Sequence, residues 1–134
     1  MKRFFVTFVV ILSLFFLVGC NRISIYSDEN AVLKFQGKIL GDNTELTQIL
    51  TREETTIARE YLSSAEYTPG QGGCPFDKDI SISFGDQIFA IGYDDCPSVY
   101  WINSDKYYTV STEGRNYIVS LFEKYVGYFP FPKT

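Results

Sequence analysis

The stretch GYDDCPSVYW, Gly92 to Trp101, sets two adjacent carboxylates beside a thiol, a proline and two aromatics. Its cysteine, Cys96, has a counterpart upstream at Cys74, and Asp77, Asp79, Asp94 and Asp95 gather around the two. Thiol–disulfide exchange runs on a Cys-x-x-Cys spacing that the chain lacks. Structural zinc wants four nitrogen or sulfur ligands, and the chain has 3 cysteines and no histidine. The missing histidine also removes Ser-His-Asp and Cys-His nucleophiles and the commonest general acid–base group. The four aspartates offer oxygen ligands of the kind Ca²⁺ takes, or a carboxylate pair for glycoside cleavage. They lack the spacing and closing glutamate of an EF-hand loop, and they read better as turn and bulge residues that keep a strand end soluble. Pro69 to Gly73, PGQGG, is not followed by Lys-Ser/Thr and so does not form a phosphate loop. No catalytic constellation, metal site or cofactor site is expected.

The N-terminus has a chemistry of its own. Lys2 and Arg3 precede an apolar run, Phe4 to Val18, broken only by Thr7 and Ser13. These 15 residues fall short of the roughly 20 that span a bilayer and have the flanks of an export signal. Leu17-Val18-Gly19-Cys20 resembles the lipobox of bacterial lipoproteins. The resemblance covers residues 1–20 alone. It implies cleavage before Cys20, a covalent lipid on its sulfur, and often acylation of the new amino group. One acyl chain anchors marginally, and two or more hold stably. The resemblance further implies an envelope location. Asn21, in place of a retaining Asp, would permit outer-membrane sorting in a Gram-negative source. In a Gram-positive source the chain would sit on the outer face of the plasma membrane.

The mature chain would then be residues 20–134, with 20–30 as lipidated cysteine and tether and 31–134 as a single globular domain. Loss of Lys2 and Arg3 takes the net charge from −4 to −6. An acidic domain is a poor partner for nucleic acid and gains nothing from an anionic bilayer, so the lipid must hold it there. In an exported chain an even pair of cysteines reads as a disulfide, here Cys74 with Cys96.

The elements between the cysteines support that pairing. DISISF and QIFAIGY alternate apolar residues around Gly85-Asp86, a good two-residue hairpin loop. Phe84 should face Gln87, Ile82 face Phe89, and Ile80 face Ile91. Carried outward, this register leaves the cysteines one position out of step, and a one-residue bulge at Gly92 would bring them together. Elsewhere, AVLKFQGKIL reads as a strand and TELTQIL as a second strand or an extended lead-in. TREE, from Thr51 to Glu54, has capping-box spacing and starts a helix expected to reach Glu66, with Ile57, Ala58, Tyr61, Leu62 and Ala65 buried. SVYWI and KYYTV form a second hairpin around NSD. Ser111 caps a last helix, Thr112 to Val126, with Ile118, Leu121, Phe122 and Tyr125 buried and Gly127 as the stop. The fold class is α+β: an antiparallel sheet of about four to six strands, two amphipathic helices on one face, and one disulfide.

The other sheet face is where binding would occur. All 10 tyrosines follow the signal, and Tyr93, Tyr100, Trp101, Tyr107 and Tyr108 cluster in the strand region. Adjacent strand residues point to opposite faces, so one of Tyr100/Trp101 and one of Tyr107/Tyr108 should face outward. With Asp94 and Asp95 they compose an expected binding face, unless the tail Tyr128–Pro132 folds over them. The expected role is a non-catalytic binding or inhibitory module acting on an envelope protein. The alternative is a carbohydrate- or peptidoglycan-binding lipoprotein or a small carboxylate-based enzyme. The pairing of Cys74 with Cys96 is checked by titrating thiols on the purified oxidised domain. None should react; two reactive thiols rule the staple out.

Overall fold

The computed structural model describes residues 21–39, 42–70, 75–92 and 96–127. In chain order the elements are β1 (Val32–Ile39), β2 (Asp42–Ile49), α1 (Arg52–Ser63), β3 (Glu66–Thr68), β4 (Phe76–Phe84), β5 (Gln87–Gly92), β6 (Ser98–Trp101), a 3-10 turn (Ile102–Ser104), β7 (Lys106–Thr109) and α2 (Thr112–Val126). The seven strands form one sheet in the order β2-β1-β4-β5-β6-β7-β3, with every neighbouring pair antiparallel. Among the described residues no helix is long and apolar enough to cross a membrane.

Alternation along the strands sorts the side chains onto two faces. Leu33, Phe35, Ile82, Phe89, Ile91, Val99 and Tyr108 share one face and are all buried. Ala58 and Leu62 of α1 and Ile118, Val119, Leu121 and Phe122 of α2 complete the same core. Both helices therefore cover one face of the sheet.

The β4–β5 hairpin adopts the expected register at its closed end: Phe84 pairs with Gln87 and Ile82 with Phe89. Gly85 takes φ +60°, a value that favours glycine in a tight turn. The irregularity lies elsewhere than at Gly92. After Ser81↔Ala90 the next pair is Phe76↔Gly92, so the extra residues sit in β4, and Ile80 and Ile91 are not a ladder pair. Asp77 explains the break. Its Oδ1 accepts from the backbone N–H of Asp79 at 2.8 Å, an Asx turn that takes this stretch out of the ladder. Gly92 serves a different purpose. A Cβ there would lie 2.7 Å from the Ser98 carbonyl oxygen, so glycine lets the chain fold back closely into β6.

Three further expectations need correction. The sheet has seven strands rather than four to six, because Glu66–Thr68 forms β3 against β7. Three residues carry too little periodicity to read; the strand exists through its partner, and Thr68 and Thr109 share a 2.6 Å hydroxyl bond across the pair. The first helix ends at Ser63 rather than Glu66, since the Ser64 N–H and Oγ both donate to the Glu60 carbonyl and close the last turn. Its buried side runs through Glu54, Thr55, Ala58 and Leu62, with Ile57 at the margin. Finally, the segment expected to be a tether is docked. Ile23 is buried, Ser24 O accepts from Gln87 Nε2 at 2.8 Å, and Tyr26 N donates to Gln87 Oε1 at 3.1 Å. Ser27 O accepts from Arg59 at 2.7 Å, and Ala31 N donates to Thr55 Oγ1 at 3.0 Å. Gln87, itself buried, treats the segment as a strand would, satisfying one carbonyl and one amide.

The second helix runs from Thr112 to Val126 as its caps imply: Ser111 Oγ accepts from Gly114 N, and Gly127 ends it at φ +82°. The two helices are joined at Glu54. Thr51 and Glu54 form the full capping box, and the Glu54 carboxylate also accepts from Lys124 Nζ at 2.6 Å and Tyr125 OH at 2.7 Å. Burial pushes this carboxyl up, but the bonds from Lys124, the Thr51 backbone and Tyr125 together outweigh it and hold the pKa at about 2. A folded pKa depressed below the unfolded value gives stability above that value, lost as pH falls through the folded one. Thr51→Ala should cost about 1 kcal/mol. Glu54→Gln should melt lower than the parent chain at pH 7, and the gap should close as pH drops from about 4.5 toward 2. Thermal melts across that range check both.

Candidate functional site

The hairpin β6–β7 decides which aromatics face outward. Tyr100 pairs with Tyr107, and Val99 with Tyr108. Val99 belongs to the helix-covered face, so Tyr108 does too, at 2 % exposure. Trp101 packs against that same core, its ring 5.5 Å from Phe89 and 6.3 Å from Tyr108. Trp101 and Tyr108 therefore leave the expected binding face. The reason is strand parity: the buried Val99 commits its alternate neighbours inward.

Tyr100 and Tyr107 occupy the opposite face. Their rings stack at 4.7 Å between centroids and 18° between planes. Phe76, at the start of β4, tilts against both at 5.8 and 5.5 Å. Burial of Phe76, Tyr100 and Tyr107 is only partial. Tyr100 OH donates to Asp105 Oδ1 at 2.8 Å. That bond, then burial and the nearby carboxylate charge, push the phenol pKa above its usual 10, so Tyr100 remains a neutral donor at physiological pH. Asp105 is the one described non-glycine residue at positive φ, 53°, and closes the 3-10 turn. The turn is itself held to β5, since Ile88 N donates to Asn103 Oδ1 at 2.8 Å.

A shallow open depression of about 470 Å³ borders the cluster, lined by Phe76, Asp77, Lys78, Tyr100 and Ile102. It shares Lys78 and Ile102 with a second hollow of about 510 Å³, whose floor includes Val32, Ser81, Ser83 and Ile88. Lys34 and Asp79 form an ion pair at 3.3 Å along this surface. The surface is thus an aromatic end continuing into a mixed apolar and hydroxyl floor. It offers contact area, hydroxyl donors and a few charges. The carboxylates there already have partners: Asp77 binds the Asp79 amide, and Asp79 binds Lys34. Among the described residues, no three His, Cys, Asp or Glu side chains gather as metal ligands.

Of the other sequence-predicted site residues, Cys20, Cys74, Tyr93, Asp94 and Asp95 lie outside the described residues, as does the tail 128–134. Cys96 is half-buried. Its carbonyl accepts from Arg115 Nε at 2.9 Å, and Arg115 is buried on α2. Sequence reasoning missed Phe76 and Asp105. Phe76 carried no alternation signal because the Asx turn separates it from the rest of β4. Asp105 had one, in the NSD turn, where Asp tolerates the left-handed conformation.

The two faces predict different responses to truncation. Trp101→Ala should destabilise by nearly the about 3–5 kcal/mol typical of a core aromatic. A Tyr100/Tyr107 double-mutant cycle should return about 0.5–1.5 kcal/mol of coupling for the stack. Urea denaturation of the five chains measures both. Comparison of the chain with protein-family models, curated proteins and solved structures finds no match to any of them.

Proposed function

We propose that the chain is a lipid-anchored bacterial envelope protein that acts without catalysis, binding or inhibiting another envelope protein through the outer face of its sheet. One observation carries this reading: Phe76, Tyr100 and Tyr107 form an aromatic cluster on the face opposite both helices. Partly exposed tyrosines beside apolar floor residues are the composition of protein contact surfaces. The anchor rests on the lipobox resemblance at Leu17–Cys20, which supplies the covalent lipid and the envelope location.

The ring geometry favours a protein over a glycan. A sugar stacks on an open ring face, yet the stack covers one face of each tyrosine and Phe76 tilts against both rings. Trp101, the broadest platform in the chain, is turned to the core.

The disulfide is part of the same proposal. Phe76, two residues after Cys74, pairs with Gly92, and a Cβ on Gly92 would lie 3.4 Å from the Cys96 Cβ. Arg115 holds the Cys96 backbone in place. A Cys74–Cys96 bond would tie the segment before β4 to the loop before β6.

In vivo crosslinking of the tagged, lipidated protein, followed by identification of what co-purifies, tests the role. A stoichiometric protein partner, lost in Tyr100→Ala/Tyr107→Ala, is expected. Equal recovery with that double variant rules out this face. Saturable heat on titration with cell-wall fragments, without a protein partner, replaces the protein reading with the glycan one.

A further inference from the structure

We infer that the domain rests directly on the bilayer, with its β4–β5 turn against the headgroups and the open end of that hairpin, at Phe76 and Gly92, turned away. The inference builds on the lipidated Cys20 proposed above and adds an orientation. Two residues, Asn21 and Arg22, separate Cys20 from Ile23. Ile23 is 3 % exposed and belongs to the hydrophobic core. Three fully extended steps from Cys20 to Ile23 reach about 10 Å. The polar layer on each side of a bilayer is itself about 5–7 Å thick. A lipid at Cys20 therefore leaves almost no free chain between bilayer and domain.

The contact region follows from where the chain enters. Ser24 and Tyr26 are clamped by Gln87, the first residue after the turn, and the Tyr26 hydroxyl donates to Asp86 Oδ1 at 2.7 Å. Ser27 lies beneath Gly85, its Oγ 3.0 Å from where a Cβ would stand. The chain thus enters at the Gly85–Asp86 end of the hairpin. Tyr26 is 67 % exposed there, the most exposed large hydrophobic side chain among the described residues. An amphipathic ring with a polar tip is the residue type that sits at headgroup level. Phe76 begins β4 and Phe84 ends it. Phe76 pairs with Gly92 and Phe84 with Gln87, so five β5 steps, about 17 Å, separate the membrane end of the hairpin from its open end. The leash sets this pose rather than charge: Asp86 and the acidic domain gain nothing from anionic lipid, so salt should leave the pose unchanged.

The test uses the full lipidated protein, isotope-labelled, in phosphatidylcholine nanodiscs carrying a gadolinium-chelating headgroup lipid. Amides of Tyr26, Gly85 and Asp86 should broaden several-fold more than those of Gly92, Ser98 and Thr109, which lie at the opposite end of their strands. A ten-residue Gly-Ser insertion between Arg22 and Ile23 adds about 17 Å of reach and should level the pattern without touching the fold. The mass of the same sample reports the lipid. An acylated Cys20 with uniform broadening in the uninserted protein overturns the orientation alone. A chain without lipid at Cys20 overturns the anchor and the orientation together.

Discussion

Sliding β5 by one residue against β4 would turn Phe89 and Ile91 outward and carry Ile88 and Ala90 into the core. The Ile82–Phe89 pairing forbids this, because one face of the sheet is buried under two helices and the other is not. Every later assignment inherits that parity. Phe89 lies opposite Trp101 and Ile91 opposite Val99; Val99 in turn lies opposite Tyr108. Tyr100 and Tyr107 face outward because these neighbours face inward. The candidate binding surface is thus set by the packing of the opposite face.

Polar side chains then secure what the apolar core leaves open. Gln87 is fully buried yet satisfied, since its amide reads one carbonyl and one N–H of the N-terminal segment. Glu54 joins the start of α1 to the end of α2, and Arg115 ties α2 to the loop carrying Cys96. Each group bonds the backbone, a hydroxyl or an opposite charge, as burial requires. Residues 23–27 are therefore built into the domain, completing the core beside β5 and α1. Should Cys20 carry lipid, that docking turns a local packing contact into the orientation of the whole molecule.

How much of this was legible depended on how local the signal was. Thr51 with Glu54, Ser111 with Gly114, and Gly85-Asp86 are contacts within three or four residues, and each marks its element correctly. Tyr26 with Gln87 spans 61 positions, and Lys124 with Glu54 spans 70; no window along the chain contains either pair. β3 has three residues and owes its existence to β7. The irregularity between β4 and β5 was expected at a glycine, but an aspartate side chain bending its own backbone produced it in β4.

By itself, then, the sequence determined the α+β class, both helix starts, the stop of the second helix and the register at the β4–β5 turn. Those depend on caps, turn residues and alternation, which act between near neighbours. It also established that one of each aromatic pair must face outward. Only the tertiary structure decided which one, because parity along β6 and β7 is referenced to the core through Val99 and not to anything within the hairpin. It likewise decided that residues 23–27 belong to the domain, since an isolated Ile23 or Gln87 has no preference until the other is brought beside it.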